Sequence, residues 1–161
     1  MDYRDKSPAE HKLDRIEAEA SAAEDMAKAG MKSVKAMGKA AEDRVKAVGK
    51  EAVDVAKAKV KSAEDMAKAE VKAVKDRYGH PWSGEAGSTA VETAEARFDE
   101  VKDQGKAHLK AVKAAVKGAE KEAKADSKEA VASAKADVAR VKAQNKAKIE
   151  KTKAENEASG Y

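Results

Sequence analysis

Apolar and charged positions along this chain recur every eleven residues. In the first half, Ala23, Val34, Val45, Ala56 and Ala67 form one apolar row, and Gly30, Ala41, Ala52, Ala63 and Val74 form a second. Lys28, Lys39, Lys50, Lys61 and Lys72 make an unbroken lysine row, and Asp43, Asp54, Asp65 and Asp76 an acidic one. The second half repeats the device with Lys102, Lys113, Lys124, Lys135 and Lys146, followed by Ala114, Ala125, Ala136, Ala147 and Ala158. Eleven residues in three turns is about 3.67 per turn, so each row runs almost straight along a helix, and a packed pair with this period supercoils right-handedly.

At about 98° per residue, the small apolar face of the first half runs from the Met26/Met37/Val48 row through Gly30/Ala41/Ala52 to Val60/Val71. Two lysine rows come next, then the aspartates, then Ala36/Ala47. The positions expected to pack against another helix are Val34, Val45, Ala41, Ala52, Ala63 and Val74.

One break divides the pattern. Both prolines are informative: Pro8 stands near the start and Pro81 lies in Tyr78-Gly79-His80-Pro81-Trp82-Ser83-Gly84-Glu85-Ala86-Gly87. Ser7-Pro8-Ala9-Glu10 supplies a Ser N-cap, Pro at the first helical position and Glu three residues after the cap. Thr89-Ala90-Val91-Glu92 repeats that spacing after the break, and Gly160 has the position of a C-terminal stop. The expected organisation is a tail over 1–7, helix one over 8–77, a hinge over 78–88 built on Tyr78, Gly79, Pro81 and Trp82, helix two over 89–158, and a tail over 159–161. The fold class is all-α: two long amphipathic helices, each about 100 Å at 1.5 Å per residue, folded back as a hairpin. Tyr78, Trp82 and Phe98 are expected to cap its tip; the other reading makes them an anchor for a partner or lipid.

Internal duplication fits this plan. Ala23-Glu24-Asp25-Met26-Ala27-Lys28-Ala29 recurs unchanged as Ala63-Glu64-Asp65-Met66-Ala67-Lys68-Ala69, and Lys50-Glu51-Ala52-Val53 as Lys128-Glu129-Ala130-Val131.

Composition then limits what such helices can do. Of 161 residues, 38 are Ala and 40% are charged, yet the net charge is only +4. Leu, Ile, Val and Phe together number 20, well below the roughly 20% at which a chain can bury enough apolar surface to offset its lost conformational entropy. A conventional core with a closed pocket is therefore not expected. Long Ala-rich helices are marginal in water, so the chain sits near a balance: disordered when dilute, helical when dried, crowded, assembled or bound to a surface. There is no Cys, no apolar run long enough for a membrane span and no apolar core behind the charged N-terminus. A cytoplasmic chain is the expectation.

Candidate chemistry is sparse. His11, His80 and His108 share no metal-ligand spacing, and no Ser/His/Asp group, phosphate-cradling glycine loop or paired-carboxylate pocket can be assembled. No catalytic residue, metal site or cofactor is expected, nor a small-molecule substrate, and the chain reads as no enzyme. The lysine rows Lys28/Lys39/Lys50/Lys61/Lys72 and Lys102/Lys113/Lys124/Lys135/Lys146 have two readings, an anion- or phosphate-facing surface and a solvated face of interleaved ion pairs. Nucleic acid is not an expected partner, because the neighbouring aspartate row repels polyanions and the aromatics within the helical arms cluster near the hinge.

Ala41-Glu42-Asp43-Arg44-Val45-Lys46-Ala47 and Ala63-Glu64-Asp65-Met66-Ala67-Lys68-Ala69 resemble the repeats of the late embryogenesis abundant proteins of the eleven-mer class, group 3. The resemblance covers roughly residues 20–77 and, less cleanly, 94–158; the Trp82 hinge and the abundance of Val depart from it. It implies a hydrophilic chain, largely disordered in water, that becomes helical on drying and shields membranes and proteins. Two other readings stand beside it. One is a structural hairpin that assembles with itself into a fibre, coat or lattice; the other is an amphipathic helix on a lipid surface. The expected partners are thus the chain itself, a membrane surface or client proteins.

Overall fold

A computed structural model describes residues 7–159. They form helix α1 (Pro8–Tyr78), a single 3-10 turn at Pro81–Ser83 and helix α2 (Gly84–Ala158), with no strand among the described residues. The architecture is a helical hairpin. Gly160 and the tails 1–6 and 160–161 lie outside the described residues.

The first cap forms as its spacing predicts. The Ser7 N–H donates to Glu10 Oε2 at 2.7 Å, and the Glu10 N–H donates to Ser7 Oγ at 3.3 Å. Each side chain thereby satisfies an N–H that the first helical turn leaves without a partner. The second expected cap does not form. Helix α2 begins at Gly84 rather than at 89, and Thr89 Oγ1 donates at 2.9 Å to the Glu85 carbonyl, already inside the helix. The reason lies in two glycines. Gly84 has φ +62°, which lets the chain pass from the 3-10 turn directly into a helix. Gly87 is buried so tightly against Ser83 and the Tyr78 carbonyl that no Cβ would fit. A glycine-rich run that reads as a loop is therefore the first turn of α2.

The hinge is correspondingly short. The Gly79 N–H donates to the Lys75 carbonyl at 2.8 Å, closing α1, and the Ser83 N–H to the His80 carbonyl at 3.0 Å. The expected aromatic cap is absent. Trp82 is 80% exposed and stacks on His80 with ring centroids 4.6 Å apart, Tyr78 is exposed beneath the Arg77 guanidinium, and Phe98 is half-buried along α2. A three-residue turn led by Pro81 leaves no chain with which to fold the indole back over the tip.

The contacts divide into two units. A terminal unit comprises the segments up to Glu42 and from Ala123 onward; a hinge unit comprises Asp43–Glu122. In the terminal unit, the Asn145 Nδ2–H donates to the Ala20 carbonyl at 2.7 Å, the Asn156 Nδ2–H to the Ala9 carbonyl at 3.1 Å, and Gly38 lies against Ser127. In the hinge unit, Gly49 lies against Val116 and Gly105 against Val60. The residue numbers of each of these pairs add to 165, so the helices run antiparallel within each unit, and the two asparagine pairs, like successive glycine pairs, step by eleven.

The seam uses only part of the expected face. On α1 the less exposed positions run 34, 38, 42, 45, 49, 53, 56, 60, 64, 67 and 71, steps of four, four and three that sum to eleven. Val34 and Val45 lie on it, and Val74 is also half-buried, but Ala41, Ala52 and Ala63 are exposed. The seam centres instead on the Gly38/Gly49/Val60 row, about 65° further round the helix. Size complementarity explains the rotation: Val116 needs the space a glycine leaves, and Gly105 on α2 accepts Val60 in return. An alanine row facing outward loses little, because a methyl group has little area to bury.

Candidate functional site

Among the described residues, no group of three or more His, Cys, Asp or Glu is placed to hold a metal ion. His80 is in the hinge, and His11 and His108 are exposed on α1 and α2. What the hairpin presents is therefore surface, and the seam orders that surface into faces.

In the hinge unit, the seam has two edges. Along one runs a groove of about 430 Å³ lined by Val45, Val48, Gly49 and Ala52 of α1 and by Ala115, Val116 and Ala119 of α2, with Arg44 at its margin. Val48, Val55 and Met66 stand 65%, 47% and 69% exposed on α1, and none of α2 carries an exposed large aliphatic side chain. Since the groove fixes which flank of each helix lies on that edge, the other edge follows from the eleven-residue map. There Val53 and Glu64 of α1 face Leu109 and Glu120 of α2, all half-buried, and beyond them on both helices come lysine rows. Lys46, Lys57 and Lys68, then Lys50, Lys61 and Lys72, flank this edge on α1; Lys102 and Lys113, then Lys106 and Lys117, flank it on α2. Lys106, Lys110 and Lys113 surround the half-buried Leu109 in a shallow depression. Antiparallel pairing of helices with the same row order thus brings two lysine sets onto one face.

These lysines are mostly without carboxylate partners. Lys57 pairs with Asp54 and Lys106 with Asp103, each at 3.2 Å and three residues apart. Between the helices, Lys75 pairs with Glu95 at 2.6 Å, and on the groove edge Arg97 with Glu70 at 3.5 Å. Of the expected anion-facing rows, Lys39, Lys50, Lys61 and Lys72 are exposed and make no ion pair, as are Lys102, Lys113, Lys124 and Lys135. Lys28 is half-buried between Glu24 at 3.9 Å and Asp25 at 3.2 Å, and Lys146 reaches Glu150 at 3.8 Å. The face of interleaved ion pairs is therefore realised only in places.

The terminal unit has its own polar cluster. Lys12 Nζ donates to Glu155 Oε2 at 3.0 Å, and Lys151 stands 4.0 Å from the other oxygen. The Lys12 hydrogen bond and charge hold the Glu155 carboxyl below the ordinary carboxylate range, with Lys151 adding a smaller pull. Beside it, Thr152 is buried and turns its hydroxyl onto the Lys148 carbonyl of its own helix at 3.0 Å. Lys153 reaches Glu17 at 3.8 Å.

The residues that hold the two helices in place, Gly38, Gly49, Gly105, Asn145 and Asn156, are absent from the expected packing set. Their signal was present as spacing: Gly38 and Gly49 are eleven apart, as are Asn145 and Asn156. No protein-family model matches this chain, and neither a curated protein nor a solved structure does.

Proposed function

We propose that this chain is a non-enzymatic, hydrophilic stress protectant. It orders as water is lost and shields membranes and proteins, in the manner implied by its resemblance to the eleven-mer late embryogenesis abundant proteins. The observation that carries the reading is the poverty of the seam. Among the described residues the buried apolar side chains are Ala20, Ala56 and Ala94, and no large side chain is fully buried. Alanine burial contributes little, so little tertiary stabilisation holds the pair in dilute solution. Removal of water changes the balance, because an unfolded backbone then loses its solvent partners while helical hydrogen bonds persist.

The experiment is circular dichroism in dilute buffer and in the dried film, alongside recovery of a desiccation-labile enzyme and retention of vesicle contents after drying. A large gain in helicity on drying, with protection at substoichiometric mass, is expected. Cooperative thermal unfolding of the dilute monomer counts decisively against the reading.

A second reading, a hairpin that assembles with itself, is favoured by the apolar groove and by exposed Val48, Val55 and Met66. Sedimentation at rising concentration tests it, and monomers alone at high concentration sink it.

A further inference from the structure

The two edges of the hinge unit's seam differ in chemistry, and the difference selects a partner for one of them. On α1, both rows flanking the lysine edge are wholly lysine from residue 46 to residue 72, about 39 Å at 1.5 Å per residue. The α2 rows add Lys102, Lys106, Lys113 and Lys117. Of the carboxylates on this face, Asp54, Asp103 and Glu95 are each taken by a lysine, Glu64 and Glu120 are half-buried along the seam between the two lysine sets, and Asp43, Asp65, Asp76 and Asp99 stand exposed at its outer margins, where they are outnumbered by the lysines. The face therefore carries a net positive charge although the chain as a whole is nearly balanced.

Its shape matters as much as its sign. Two helices side by side, their axes about 10 Å apart, present charges in a plane rather than along one stripe. A planar anionic surface meets both lysine sets at once. A nucleic-acid duplex is a cylinder and meets a flat face along one line; the one aromatic on the row of Leu109 and Glu120, Phe98, is half-buried and offers no open ring face for an unpaired base to stack on. The apolar groove and exposed Val48 lie on the opposite edge. With the lysines on headgroups, that groove points away from the bilayer, so no apolar side chain enters the acyl region.

We infer that the lysine face of the hinge unit docks flat on a bilayer bearing anionic phospholipid headgroups, peripherally, with the groove side turned outward. The contact is electrostatic: each lysine near the surface adds to the attraction, and salt screens it within a Debye length. Binding of this kind is read in hydrated buffer, so it stands or fails independently of protection on drying.

The test uses the full chain and co-sedimentation with phosphatidylcholine vesicles, with and without about one-third phosphatidylserine. Binding is expected only to the anionic vesicles and is lost steeply as salt rises. Lys46→Gln with Lys113→Gln lowers the partition coefficient by about tenfold or more, whereas Lys46→Arg with Lys113→Arg retains it. Arg44→Gln with Lys59→Gln removes the same charge from the groove side and lowers it by about twofold at most. A polarity-sensitive dye on Val48→Cys keeps its aqueous emission on the vesicles. Equal losses from the two glutamine pairs, retention on neutral vesicles, tighter binding to a nucleic-acid duplex than to the anionic vesicles, or a dye at position 48 that reports an apolar environment would each overturn the inference.

Discussion

Gly49 and Gly30 sit on the same helix and have opposite reasons to be glycine. A Cβ at Gly49 would overlap Val116 Cγ1, while one at Gly30 or Gly118 would meet nothing within 4 Å. Gly30→Ala and Gly118→Ala should each stabilise the helix by about 0.5–1 kcal/mol, since Ala loses less backbone entropy. Gly49→Ala gains the same propensity but must displace a stiff, β-branched neighbour, for a net loss of about 1–2 kcal/mol. Ellipticity at partial trifluoroethanol or thermal melting checks the signs; a gain at all three positions would mean that the helices are not paired there. Asn145 is a different kind of seam residue, 6% exposed and hydrogen-bonded to the Ala20 carbonyl of the other helix. Asn145→Ala should cost about 0.5–1.5 kcal/mol. Asn145→Leu should cost less or stabilise, while loosening the register that a buried amide enforces.

Two elements built on an eleven-residue repeat have a register problem, because sliding by eleven returns the same row types to the seam. The glycine and asparagine pairs resolve it. A cysteine-free chain makes the register measurable. A Cβ built at Gly38 falls 3.2 Å from Ser127 Cβ, near the separation a disulfide spans, so Gly38→Cys with Ser127→Cys should oxidise readily in the folded chain. Gly49→Cys with Ser127→Cys, one repeat out of register, should not; non-reducing electrophoresis reads both. Acid should break the Lys12–Glu155 contact of the terminal unit only at a pH below the ordinary carboxylate range. The folded pKa of Glu155 is lowered chiefly by the Lys12 hydrogen bond. Its contribution is therefore complete above the unfolded carboxylate pKa and is lost as pH falls through the lower folded value. Carboxyl-carbon NMR should place the Glu155 titration below the ordinary carboxylate range, and Lys12→Gln should raise it.

On the lysine edge of the hinge unit, lysines without partners outnumber the ion pairs, so screening there relieves more repulsion than attraction. Helicity should rise as sodium chloride is raised from low ionic strength to about 0.5 M, where the Debye length falls to several ångströms. A fall in ellipticity over that range would mean that the few ion pairs carry the pairing.

The sequence alone determined the two long helices, the first cap, the position of the break and the absence of a large core, because period, capping spacing and composition are local properties of the chain. It did not distinguish Ala41 from Gly49 as the centre of the seam. At eleven residues per three turns the rows stand only about 33° apart, and several adjacent rows of small residues are nearly equivalent for a helix considered by itself. The choice fell to fit between helices: Val116 against Gly49, Val60 against Gly105, and two asparagines against the carbonyls of Ala9 and Ala20. Gly87 likewise reads as loop until its close approach to Ser83 and Tyr78 places it in a helix, and Gly84 until its positive φ turns the chain into α2. Only the tertiary structure decided which lysines share a face. That property depends on the antiparallel pairing of α1 with α2, and neither helix carries it alone.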